Sequence, residues 1–410
     1  MKNKKIRKIA FLGHFDSTNF GNEASLQAPL YQLRRFEPDA EVTCVCTGPE
    51  ITAATYQIKA VSISDAFFKS WRPRSLLGRI TRALCIGIPS ELYRWPEGFF
   101  TLWRSQMLIV PGTGLLTDAY GIRGWGPYNA FKWSVLAKIC GCKLLYVSVG
   151  AGPVYSSLGR FFVKSALALA DFRSYRDNST KQFLNSIGLR AHSDPVYPDL
   201  VFSLPDSMLP RQSKKKNNRS VVGLGLMTYA GKYSTAKPNV EIHRSYMNTL
   251  AAFGSWLVAR ENDVRLLIGD LADTGTKGEF KELLNGLLPE SERTHIIDEP
   301  VQSVEGLLSQ IAMSDIVVAT RFHNVILALL CNKLVIAISF HHKCESLMAA
   351  MGLSEYCLDL NSLEVNVLIK KFCDLEANAS NLRILIKERT EQFRQELDEQ
   401  YSTIFKQIVD

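Results

Sequence analysis

The 410-residue chain carries 48 Lys and Arg against 40 Asp and Glu, for a formal net charge of +8, with 46% hydrophobic and 21% charged residues. That balance excludes a disordered chain, and the length exceeds what one ordinary core supports, so two domains are expected. The basic excess suits an anionic substrate or a membrane surface; nucleic acid is not expected as a partner, because the basic residues are dispersed rather than interleaved with aromatics along one face.

The start, MKNKKIRKIAFLGHF, is basic and then apolar. Residues 9–12 are too short for a signal-peptide core and no small-residue cleavage site follows, so they read as a first strand. KIAFLG (8–13), EVTCVC (41–46), QMLIVPG (106–112) and KLLYVSVG (143–150) predict strands, with helices at about 23–35 and at 133–141. Strands apolar on both faces, alternating with helices, indicate a parallel sheet covered by helices. Between them, 67–89 (FFKSWRPRSLLGRITRALCIGIP) is basic and apolar; it reads as a helix packed on the first domain or as a peripheral membrane contact.

The polar run RQSKKKNNRS (211–220) predicts a basic linker, after which the rhythm restarts. VVGLGL (221–226), VRLLIGD (264–270), DIVVAT (315–320) and LVIAISF (334–340) are strands; 246–261 and 303–314 are helices, the second capped by Ser303. A charged helix over roughly 378–408 closes the chain. The expected organisation is therefore an N-terminal α/β domain (1–210), a linker (211–220), a C-terminal α/β domain (221–375) and a final helix (376–410) able to pack back on the first domain. No segment has the length of a membrane span; the nearest, 325–340, is broken by Asn332 and Lys333. Nine cysteines without a CxxC pair read as reduced thiols in a cytoplasmic protein.

In open parallel sheets ligands bind at the carboxyl ends of strands, so the loops there are searched for chemistry. GHFDSTNFGNEASL (13–26) brings glycines and short polar groups to a helix start; it reads as an anion- or hydroxyl-holding loop or as a plain turn. It is not a GxGxxG fingerprint, and GTGLLTD (112–118) is not a P-loop. In DFRSYRDNST (171–180), Arg176 is either a surface ion pair or an anion clamp. In ATRFHNVILALL (319–330), Arg321 and His323 stand where a strand gives way to a helix. The helix dipole and Arg321 favour neutral imidazole, and a bound anion would restore the imidazolium, which suits a proton donor; a capping or packing histidine is the alternative.

Taken in order, these segments resemble the polysaccharide pyruvyl transferase family. The resemblance rests on Asn19-Phe20-Gly21-Asn22-Glu23-Ala24, on Gly112-Thr113-Gly114-Leu115-Leu116, on Arg176-Asp177-Asn178-Ser179-Thr180, on a strand with Pro198-Asp199-Leu200-Val201-Phe202, and on Arg321, His323, Ile326, Ala328, Asn332 and Lys343. The chain departs from the family pattern at Asn22, where aspartate is usual, and at the Phe340-His341-His342 that precedes Lys343, where a tyrosine is more often found.

The resemblance implies two Rossmann-like α/β domains with a deep interdomain cleft, as in GT-B glycosyltransferases, and transfer of a pyruvyl group from phosphoenolpyruvate to a sugar as a cyclic ketal, releasing phosphate. It makes Arg176, Arg321 and Lys343 candidates for the donor's two anionic groups, because burying those without cations is costly. It makes His323, beside Arg321, the candidate acid. Asp16, Asn19, Asn22, Glu23, Gly112 and Gly114 are the candidate acceptor site, with Asp16 or Glu23 as base. No metal and no cofactor is expected beyond phosphoenolpyruvate as co-substrate; the acceptor sugar is free, polymeric or lipid-linked. A nucleotide-sugar glycosyltransferase and a non-catalytic glycan- or anion-binding protein are the alternatives.

Overall fold

The computed structural model describes residues 7–16, 18–64, 75–118, 126–210, 219–229 and 240–408. They form two compact units. Unit 1 holds Met1–Asp16, Gln32–Asp199 and Tyr401–Asp410, and unit 2 holds Ser17–Tyr31 and Leu200–Gln400.

Unit 1 contains strands β1 (Lys8–Leu12), β2 (Glu41–Cys46), β3 (Lys59–Ser62), β4 (Met107–Pro111), β5 (Lys143–Val149) and β6 (Phe172–Tyr175) in one parallel sheet, ordered β3-β2-β1-β4-β5-β6. The helices along this half of the chain are α1 (Phe20–Phe36), α2 (Pro49–Tyr56), α3 (Leu76–Arg82), α4 (Ile88–Leu102), α5 (Gly126–Ile139), α6 (Ser157–Ala168) and α7 (Asn178–Ser186). The division between units falls inside α1. One face of the central strands, with Leu108, Val110, Leu144 and Tyr146, packs with Trp133 and Leu136 of α5.

Unit 2 contains β7 (Val221–Leu226), β8 (Asp263–Ile268), β9 (Ile296–Ile297), β10 (Ile316–Ala319), β11 (Leu334–Ser339) and β12 (Cys357–Asp359), all parallel, ordered β12-β11-β10-β7-β8-β9. Its later helices are α8 (Val240–Ala259), α9 (Thr274–Leu287), α10 (Val304–Ala312), α11 (Phe322–Leu330), α12 (His342–Ala350), α13 (Val365–Ala377) and α14 (Ala379–Ser402). Read from its own first strand, this order is the same as in unit 1: each sheet is doubly wound and reverses direction beside its first strand. The reversal point lies between β1 and β4 in unit 1 and between β7 and β10 in unit 2, and there the carboxyl ends of the strands leave a natural ligand position.

The unit boundaries differ from those expected from the sequence in two places. The segment after β1 belongs to unit 2, because Phe20 N donates to Gly269 O at 3.0 Å and Leu271 N donates to Thr18 O at 2.7 Å. The chain passes to unit 2 at Leu200, ahead of the basic run, because Leu200–Ser203 is a buried 3-10 turn whose Phe202 packs edge-on against Phe393 of α14 at 5.1 Å. The final helix, expected to be able to pack back on the first domain, passes to unit 1 at Tyr401, where Phe405 lies 5.4 Å from Phe36. Leu200–Ser203 is also where a strand was expected; Pro195 and Pro198 remove ladder donors just before it, and only a single bridge, Tyr175 to Val196, forms. Most of the expected linker, 211–218, and the first part of the expected membrane-contact segment, 67–74, lie outside the described residues.

Candidate functional site

In unit 2 the site grows from β10. Its four residues are buried, Thr320 follows, and Arg321 takes the N-cap position of α11 with extended backbone. Asn324 and the apolar residues Val325 to Leu330 are all buried. Each valine, isoleucine or leucine side chain there contributes roughly 1.5–3 kcal/mol of burial, so packing of the hydrophobic turns fixes where the first turn points. Thr320 adds a buried hydroxyl contact of 2.8 Å with Tyr246.

His323 lies in that first turn, and its ring rests on the backbone of Gly21: a Cβ built on Gly21 would stand 1.9 Å from Nδ1 and 2.2 Å from Cγ. The Asn-Phe-Gly loop and the Arg-Phe-His turn, about 300 residues apart in the chain, are therefore one local structure. Glycine is required because any side chain would occupy the imidazole's place. The same ring has an edge-on neighbour in Phe322, 5.2 Å between centroids.

Asn19 holds the loop from two sides. Its side-chain carbonyl accepts from Gly21 N and Asn22 N, each at 3.1 Å, capping α1, and its amide donates to Asp270 Oδ2 at 2.8 Å. Glu23 is 3% exposed and Asn22 partly exposed. Arg321 forms a two-pronged pair with Asp273, Nε to Oδ2 and Nη2 to Oδ1, both 2.7 Å, with Asp270 Oδ2 3.7 Å away. Asp273 is 0% exposed and also accepts from Thr228 N at 2.9 Å. The fixed cation expected beside His323 is thus present, but two carboxylates face it. Its geometry is that of a brace holding the β8 loop against the start of α11.

Lys343 sits in the first turn of α12, after β11, the strand that pairs with β10. The preceding His341 is a capping residue: its Nδ1 accepts from Lys343 N at 3.3 Å, and its ring lies 4.0 Å from that of His342. Unit 2 thus brings Asn19, Gly21, Arg321 and His323 together, with Lys343 on the neighbouring strand's carboxyl end.

The remaining predicted residues belong to unit 1. Asp16 follows β1, where Thr47 Oγ1 donates to its carboxylate at 3.4 Å. Gly112 and Gly114 follow β4; a Cβ on Gly112 would meet Ser148 O at 2.8 Å, and Gly114 has φ +79°, a left-handed conformation that favours glycine. Thr113 between them accepts from His14 N at 3.1 Å, joining the two loops at the reversal point. Arg176 follows β6 with its guanidinium against Gly150; it reaches Asp199 Oδ2 at 3.3 Å and Asp177 Oδ2 at 3.7 Å. This is a mostly buried cation between two carboxylates, with Asp177 also capping α7 through Thr180 N at 2.6 Å. Arg176 nearby and hydrogen bonds from Ser179 and Thr180 hold the Asp177 carboxyl below its ordinary range in spite of burial.

Three groups escaped the sequence reading. Asp270 and Asp273, in the Gly269-Asp270-Leu271-Ala272-Asp273 run after β8, carried a signal in two carboxylates at a strand's carboxyl end. His14 stands two residues past the end of β1; burial lowers its pKa from the ordinary 6.5, opposed by the charge of Asp16, and favours neutral imidazole. Among the described residues, no group of three or more His, Cys, Asp or Glu is arranged to hold a metal ion.

No curated protein matches the chain in sequence. Solved structures share its fold. A UDP-N-acetylglucosamine 2-epimerase superposes with a TM-score of 0.58 at 15% identity over 97% of each chain. HepE of Anabaena, solved with UDP and glucose, gives 0.57 at 13% identity over 97% of this chain and 100% of its own. A glycosyltransferase of Rickettsia africae gives 0.54 at 11% identity over 98% and 100%. The fold is the two-domain, Rossmann-like α/β architecture of GT-B glycosyltransferases and epimerases. The model of the polysaccharide pyruvyl transferase family matches residues 19–342, from the Asn19 loop that cradles His323 to the start of α12, and the chain belongs to that family.

Proposed function

We propose that the protein transfers the pyruvyl group of phosphoenolpyruvate to two hydroxyls of a sugar, forming a pyruvate ketal and releasing phosphate. The observation that carries this reading is the imidazole of His323, seated on Gly21 at the reversal point of the unit 2 sheet within the family-matched segment.

The reaction needs a proton delivered to C3 of the donor, turning its methylene into a methyl and making C2 electrophilic. One sugar hydroxyl adds to C2 and gives up its proton to the base; a second adds as the C2–O bond to phosphate breaks, its proton passing to the departing phosphate, and the ring closes. His323 is the proposed acid, a role that contributes typically about 10²–10⁴-fold. Gly21 and the buried body of α11 keep its ring from turning away. Arg321, braced by Asp273, is the proposed donor contact beside it, and Lys343 supplies a second cation from the adjacent strand end. Arg176 is the proposed donor group from unit 1, with Asp177 and Asp199 fixing the plane of its fork. Asp16, Asn19, Asn22, Gly112 and Gly114 are the proposed acceptor residues; Glu23 is buried, and Asp16 is the proposed base. The acceptor is a glycan, and the reaction as proposed draws on no metal or cofactor.

The test is incubation with phosphoenolpyruvate and a glycan panel, with ketal formation read by mass and phosphate release in parallel. His323→Ala is expected to abolish both while donor binding, measured by calorimetry, persists. Near-normal turnover in that variant would remove His323 from the chemistry. Binding of a UDP-sugar with no response to phosphoenolpyruvate would replace the whole reading by a glycosyl transfer.

A further inference from the structure

Unit 1 carries an apolar face that its core does not use. Helix α3, the π-helical turn Ala83–Gly87 and helix α4 follow one another without a break. Along them Leu77, Ile80, Leu84, Ile88 and Leu92 recur every three or four residues and are 48–75% exposed. Tyr93, Phe100 and Trp103 extend the exposed surface. The inward side of α4 is made instead by Ser90, Gly98 and Leu102, which are buried. A continuous exposed ridge of large aliphatic side chains marks a contact surface, unlike the scattered single leucines of ordinary surfaces.

Charge selects the occupant. Residues 75–104 contain four Arg against two Glu, a net of +2. Of the two acids, Glu91 is engaged by Arg94 at 2.9 Å and Lys132 at 3.1 Å. A second copy docking through this face would set like charge against like. An anionic lipid surface answers both features, taking the aliphatic ridge at headgroup depth and pairing with the basic residues, while Tyr and Trp suit the boundary. No helix among the described residues is long and apolar enough to cross a membrane, so the contact lies along the surface.

We propose that the α3–α4 run docks unit 1 on the surface of an anionic lipid bilayer. The docking does not depend on the transfer reaction; combined with it, a lipid-borne glycan would be met where the protein sits.

The full chain is sedimented with vesicles of equal parts phosphatidylglycerol and phosphatidylcholine, and with phosphatidylcholine alone, at low and physiological salt. It is expected to sediment with the anionic vesicles only, and less so as salt rises. The exposed-site variant Leu84→Ser/Ile88→Ser/Leu92→Ser, shown folded by circular dichroism, is expected to bind roughly tenfold or more weakly. Arg82→Glu/Arg104→Glu should weaken binding at low salt. A wild-type protein left in the supernatant, or a triple variant that sediments like wild type, overturns the proposal. So does a wild-type dimer that the triple variant dissolves without any lipid binding, which would make the face an interface between copies.

Discussion

Replacing Gly21 by alanine tests the centre of the site with one methyl group. That Cβ would stand 1.9 Å from Nδ1, 2.2 Å from Cγ and 2.6 Å from Cε1 of His323, where ordinary contact is 3.4–4 Å. Something must move by roughly 1.5 Å or more. The α1 side is held by Asn19 through Gly21 N, Asn22 N and Asp270, and the α11 side by its buried apolar turns. The imidazole is the part with a rotamer to change. Overpacking of this kind costs about 1–3 kcal/mol, which lowers Tm by several degrees in a unit of this size. Displacing the proposed acid should also lower turnover by about 10²–10⁴-fold. Scanning calorimetry reads the first effect and ketal formation by mass the second, with Gly278→Ala, whose Cβ would meet nothing within 4 Å, as the control. Wild-type Tm and turnover together would refute the contact. A lowered Tm with undiminished turnover per folded molecule would refute the assignment of the acid to His323.

Asp273→Ala removes the buried half of a two-pronged ion pair and strands Arg321 beside Asp270 alone, so a loss of about 3 kcal/mol is expected in urea unfolding; an unchanged midpoint would show that Arg321 needs no brace. His14 has a folded pKa below its ordinary 6.5, so its contribution is fully present above about 6.5 and is lost as pH falls through the lower folded value. His14→Gln should therefore flatten the decline in Tm as pH falls below about 6.5; an unaltered decline assigns it to other groups. Turnover is expected to survive a chelator, and loss restored by one divalent cation would reveal a metal requirement.

The sequence announced the interior of each sheet and hid its edges. The strands recognised, among them MLIVP and VVGLGL, have neighbours on both sides and are apolar along their length. The four missed strands, β3, β6, β9 and β12, are the four edges; KAVS, FRSY, II and CLD are short and half exposed, so no apolar run marks them. The Ser303 cap and the strand-to-helix switch at Arg321 were legible because they depend on neighbours in the chain. The partners of Arg321 and His323 were not, since pairing with Asp273 and packing on Gly21 are products of the tertiary fold. For the same reason Arg176 and Arg321 read as bare cations in the sequence, whereas each faces two carboxylates in the structure.

The passage of residues 17–31 into unit 2 has a consequence for how the molecule can be made and divided. A fragment starting at the basic run, the natural place to cut by sequence, would lack the N-terminal part of α1 and with it Asn19 and Gly21, exposing the imidazole and the β8 loop they cover. During synthesis the same segment leaves the ribosome about 300 residues before the histidine it must receive, a contact of high order that slows folding. The protein's two halves are therefore not modules to be exchanged at a linker. A working chimaera would have to carry the Asn19 loop and the Arg321 turn from the same parent.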